Sequence, residues 1–153
     1  MLILPENLLK NIDDMLVFYL KSKRRDLYLE KMLSDIFGYK EAQVKELLSE
    51  EDCLIRYENR VLDNISEFNV ELIVYIQDEN QLNDVRLDNN ITLGILIANY
   101  LNEEVITDYK KSEPYQWLLL RENRFFLVEE IAQQNNGICL ENNRIEIFDI
   151  NQC

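Results

Sequence analysis

The residues of this chain argue against most enzyme chemistry and leave carboxylates as its most abundant reactive groups. Its 153 residues include 29 aspartates and glutamates but no histidine, which removes the commonest general base and metal ligand. Two facing carboxylates can still act as acid and base, as they do in glycoside hydrolysis. Among 29 acids, however, some such pair is expected by chance. Cys53, Cys139 and Cys153 form no CxxC pair. A thiol nucleophile ordinarily borrows its base from histidine, so Cys53 and Cys139 read as packing residues. Gly38, Gly94 and Gly137 are too widely spaced to let backbone amides cradle a phosphate. The spaced oxygen ligands of a calcium loop are absent. These residues predict no catalytic centre, no metal and no cofactor.

The chain's distinctive property is its net charge of −13, from 29 acidic and 16 basic residues. Such a surface repels nucleic acid and anionic membrane and attracts basic proteins. The excess is uneven: residues 69–108 hold one basic residue, Arg86, against eight acids. These are Glu71, Asp78, Glu79, Asp84, Asp88, Glu103, Glu104 and Asp108. The plain alternative to a binding surface is a solvated face that keeps the protein in solution. Tyr109 and Tyr115 flank the loop containing Glu113 and Pro114, and tyrosine beside acid suits a protein interface as well as local loop support. The one basic cluster, Lys21-Ser22-Lys23-Arg24-Arg25, reads as a turn between helices that complements helix C-terminal dipoles.

The elements that must position these groups divide the chain. Pro5 suits a first helical turn, and Leu8, Leu9, Ile12, Met15, Leu16, Tyr19 and Leu20 recur at helical steps. A second helix is expected from Asp26 to Phe37, stopped by Gly38, and a third over Val44, Leu47 and Leu48. Leu54–Tyr57 fits a strand or a helical turn equally. The β-branched run Val70–Ile76 predicts a central strand. Ile91–Leu101 is apolar nearly all round, as a helix buried between layers would be, and Val105–Thr107 is a short strand. Trp117–Leu120 and Phe125–Val128 make a hairpin, with Trp117 expected in the core. Ile138–Leu140 and Ile145–Phe148 make another, turning at Asn142-Asn143. The expected fold is α+β: a helical N-terminal part (residues 1–52) packed on a mainly antiparallel sheet of hairpins (residues 69–150) with one buried helix. Residues 1–153 read as a single domain. The cysteine usage fits a reducing compartment. The start lacks a signal peptide's charged region and long apolar run, so a cytoplasmic protein is expected.

The order of elements in the last 80 residues or so carries a resemblance. The helix Thr92–Asn102 runs into the strand Val105–Asp108, then a loop, then Pro114–Leu120 and a hairpin. This layout resembles small acidic bacterial immunity proteins of polymorphic or contact-dependent-inhibition toxin systems. The resemblance implies a cytoplasmic protein that binds a cognate toxin domain, often a basic nuclease, and blocks it without catalytic residues of its own. Charge then nominates the partner-binding residues: Asp78, Glu79, Asp84, Asp88, Glu103, Glu104, Asp108, Tyr109, Glu113 and Tyr115. The competing expectations are an acidic adaptor or decoy for another basic protein, such as a DNA-binding one, and a carboxylate-dependent enzyme with two acids facing across a deep pocket.

Overall fold

Asp14–Leu20 is a strand, β1, where the spacing predicts a helix. The computed structural model describes residues 14–77, 87, 89–109, 114–133 and 135–148; Pro5, Leu8, Leu9 and Ile12 of the expected helix lie outside them. Both faces of β1 are apolar, although Met15 on the second face is exposed. Leu16, Phe18 and Leu20 enter the main core, while Val17 and Tyr19 pack on the opposite side. A strand apolar on both faces shows no period of two, and its continuous run satisfies helical spacing equally well.

The chain continues through α1 (Asp26–Phe37), capped by Gly38 at φ 73°, and a single 3₁₀ turn at Glu41–Gln43. Strands β2 (Val44–Glu46), β3 (Ile55–Val61) and β4 (Val70–Ile76) follow. Then come α2 (Asn90–Leu101), β5 (Val105–Thr107), β6 (Gln116–Arg121), β7 (Arg124–Glu130) and β8 (Leu140–Ile147). The described strands form one eight-stranded sheet in the order β2-β3-β4-β1-β5-β6-β7-β8. The β2–β3 pair is parallel, so the sheet is mixed.

The expected architecture is therefore corrected. No helical N-terminal part packs on a separate array of hairpins, because β1 and β2 from that part are strands of the same sheet as β3–β8. The third expected helix is the 3₁₀ turn followed by β2, with Val44 and Leu47 buried and Leu48 half exposed. The expected turn at Asn142-Asn143 lies inside continuous β8, and Ile138 forms a separate bridge with Phe68. The expected strands at β4 and β5 and the hairpin β6–β7 are present; α2 is a helix as expected, but it is not buried between layers, since Leu96, Asn99 and Tyr100 on its outer side are exposed.

Both helices pack on the same face. Leu29, Met32 and Leu33 of α1 and Leu93 and Ile97 of α2 share one buried cluster with Phe18, Leu72, Val74 and Leu120. At about 25 cal/mol per Å² of apolar surface, these side chains stabilise the fold by roughly 1.5–3 kcal/mol each. Helix α2 lies so close to the sheet that a Cβ on Gly94 would stand 2.3 Å from Leu120 Cδ1. The second face carries its own cluster, in which Ile106, Leu119 and Val128 meet Phe68, Ile138 and Leu140. Phe68 lies in the connection between β3 and β4 and Ile138 in that between β7 and β8, and their backbone bonds (2.8 and 2.9 Å) join these two connections at the second face. Asp63 locks this junction: its carboxylate accepts from Ser66 Oγ at 2.7 Å and from the Gly137 amide at 2.7 Å.

Candidate partner-binding surface and ionic clamp

At the lower end of the sheet α2 stops at Asn102, whose φ of 53° turns the chain sharply into β5. The next two residues carry the acids nominated from sequence, and both are engaged internally. Glu103 accepts from Ser22 Oγ at 2.9 Å and pairs with Arg24 at 3.0 Å. The Glu104 side chain is only 9% exposed, and three cations converge on it: Arg144 at 2.5 Å, Lys21 at 2.6 Å and Arg121 at 3.5 Å. Burial opposes ionisation of Glu104, but hydrogen bonds from Arg144 and Lys21, with the charge of both, outweigh it and hold the carboxyl below the ordinary glutamate value. Beside this group opens a cleft of about 530 Å³, lined by Ser22, Asn99, Asn102, Glu103, Glu104 and Arg121, among others. Glu104 is ionised at neutral pH and surrounded by cations. It therefore ties α2 and β5 to β8 as an ionic clamp and has no proton to donate.

The basic run at Lys21–Arg25 supplies two of these partners. It links β1 to α1, a strand to a helix, where the sequence suggests a turn between helices. Its Arg24 reaches Glu103 just past the C-terminus of α2. Arg121 and Arg144 come from β6 and β8, and nothing in the sequence ties them to Lys21. Arg121 ends an apolar run, while Arg144 sits among polar neighbours with no local signal at all.

The upper end of the sheet gathers a different set. Asn90 at the start of α2 donates through Nδ2 to Thr107 Oγ1 at 3.2 Å and to the Asp108 carbonyl at 2.8 Å. This fixes the exit of β5 against the helix. Asp108 is exposed. Tyr109 is half-buried against the main core. Tyr115 is 68% exposed at φ 68°, and its carbonyl accepts from the Glu130 amide at 2.7 Å. A left-handed tyrosine carries backbone strain, and here the turn that leads into β6 holds it outward. Exposed Glu129 lies on the neighbouring strand, its carboxylate 3.4 Å from Gln116 Nε2.

Behind this rim the helix-free face presents Tyr19 and Trp117 edge to face at 5.3 Å. Trp117, expected in the core, is half-buried here and donates Nε1–H to Glu130 at 2.9 Å. The Tyr19 hydroxyl donates to Glu71 at 3.0 Å. Burial first, then the charge of Glu71 and its hydrogen bond, then Asp108 and Glu130, push the Tyr19 hydroxyl far above the ordinary tyrosine value. Three carboxylates thus act on one phenol.

The nominated residues do not converge. Glu103 and Glu104 lie at the far end of β5 and of α2 from Asp108; a helix of 12 residues spans about 18 Å. Asp108, Tyr109 and Tyr115 share the upper end. Asp78, Glu79, Asp84, Asp88 and Glu113 lie outside the described residues. Among the described residues no group of three or more histidine, cysteine or acidic side chains could hold a metal. Cys53 is buried, and burial pushes its thiol up. The Cys139 sulfur accepts from the Glu67 amide at 3.5 Å. Among the described residues no helix is long and apolar enough to cross a membrane. No protein-family model, curated protein or solved structure matches this chain.

Proposed function

We propose that this chain is an immunity- or antitoxin-like protein that binds a cognate basic toxin domain, of nuclease type, and neutralises it through an acidic surface. One observation carries the reading. The exposed carboxylates of Asp108 and Glu129 flank outward-held Tyr115 at one end of the sheet, and no described cation pairs with either acid. An aromatic anchor beside acids that no described cation pairs suits a surface rich in lysine and arginine, such as the substrate groove of a nuclease. The clamp at the other end supports the same choice over a carboxylate enzyme, since its acids are matched by cations and Glu104 is held ionised.

The test has two arms. Co-expression with the reading frame immediately upstream should rescue bacterial growth from that frame's toxicity. In vitro, Asp108→Lys with Glu129→Lys should slow association with the toxin domain about 10-fold at low salt, with little change in dissociation. Rescue with an unchanged association rate would reject this surface. Failure of rescue would reject the cognate pair.

A further inference from the structure

The two edges of the sheet are unequal. One is β2, three residues long and preceded by a 3₁₀ turn. The other is β8, eight residues long, free of proline, with no described strand beyond it. A long open edge offers a row of unpaired backbone donors and acceptors, and it invites another strand unless charge or covering blocks it. Here the edge is partly apolar: Ile145 is 65% exposed and Phe148, one residue past its end, is 87% exposed.

We propose that a second copy of this chain pairs with β8, strand to strand and antiparallel, about a two-fold axis normal to the sheet through Ile145. The proposal stands apart from the toxin-binding reading. Such an axis keeps opposed residues on the same face, so only registers centred on a residue are allowed. Within β8 the charges are Glu141, Arg144 and Glu146. A centre at Arg144 sets arginine against arginine, and a centre at Glu146 sets glutamate against glutamate. Centres at Asn142 and Asn143 put Leu140 opposite a charge. Only the centre at Ile145 places opposite charges across the axis, Arg144 facing Glu146 twice. It also sets Ile145 against its own mate, with Ile147 of each copy diagonal to it, within cross-strand reach.

The charges already fixed inside each copy continue this pattern. Arg144 holds Glu104, and Arg124 holds Glu146 through two bonds of 2.8 Å. Pairing extends one alternating row, Glu104, Arg144, then Glu146 and Arg124 of the second copy. With net charge −13 on each copy, long-range repulsion opposes the contact, and added salt should strengthen it. At about 0.5 M salt the screening length is about 4 Å, short enough to remove most of that repulsion.

Sedimentation of the full chain at about 0.5 M salt should show a concentration-dependent dimer. Ile145→Lys alters an exposed side chain and sets like charges on the axis, so it should weaken the dimer about 10-fold with unchanged circular dichroism. Arg144→Glu and Glu146→Arg should each weaken it by a similar factor, and the two chains mixed one to one should regain affinity to within about threefold of the parent. Mixing cannot repair damage inside a chain, so recovery reports the pairing itself. A chain that stays monomeric at about 0.2 mM overturns the proposal. So does a dimer indifferent to Ile145→Lys, or a failure of the mixed variants to recover.

Discussion

Glu104 takes its three cations from β6, β8 and the end of β1, so its charge matters more than its size. Glu104→Gln leaves Lys21, Arg121 and Arg144 facing one neutral amide. Removing one partner of a fully buried ion pair costs about 3–5 kcal/mol. The cations here remain 32–53% exposed, and water screens them, so the expected loss is about 1–3 kcal/mol. Urea unfolding at neutral pH measures it, and Glu104→Asp, which keeps the charge on a shorter arm, should recover part. Arg56 shows the same economy of polar groups in a buried place. Its guanidinium donates to the carbonyls of Leu47, Ser49 and Glu51 at 3.2, 2.6 and 2.9 Å and so satisfies the loop after β2.

Among the elements, α2 sits close against the sheet at Gly94. Gly94 lets its backbone approach β6, and a methyl group there meets Leu120 at 2.3 Å and Phe18 at 3.2 Å. Gly94→Ala should therefore destabilise the protein by about 1–3 kcal/mol despite alanine's better helix propensity. Adding Leu120→Ala to that variant should return part of the loss, which thermal unfolding of the single and double variants would resolve. This helix is legible in the sequence because it is apolar nearly all round, and β4 because its residues are β-branched. β1 is not legible, because a strand with apolar residues on both faces loses the alternation that marks strands. β8 is misread for the opposite reason: an edge strand tolerates Asn142 and Asn143, residues that elsewhere mark a turn. The site follows the same logic. Asp108 and Tyr115 are close in sequence and share one end of the sheet. Glu103 and Glu104 are as close to Asp108 in number, but β5 runs between them. The cations of the clamp come from distant segments and meet only after the sheet has formed.

At the scale of the whole molecule, a few bonds join the β3–β4 and β7–β8 connections. Asp63 accepts from Ser66 through its hydroxyl and backbone amide, and from the amides of Gly137 and Ile65. The Ser66 bonds are the largest cause holding its carboxyl at about 2. A carboxyl depressed below its unfolded value of about 3.9 adds stability that is fully present above that pH and is lost as pH falls toward 2. Asp63→Asn should thus be less stable than the parent at neutral pH, and the gap should close as pH drops from about 4 to 2. Urea midpoints across that range test it, and a constant gap would count against the carboxylate. The position of β1 has a consequence for synthesis. Phe18 pairs with Leu72 on one side and Thr107 on the other, 54 and 89 residues downstream (72 − 18 and 107 − 18). During translation this central strand emerges before both of its neighbours and gains the second only after the 89 residues from Phe18 to Thr107 (107 − 18) have been made. Until then one hydrogen-bonding edge of an apolar strand is open on the ribosome, where a nascent chain is most exposed to mispairing.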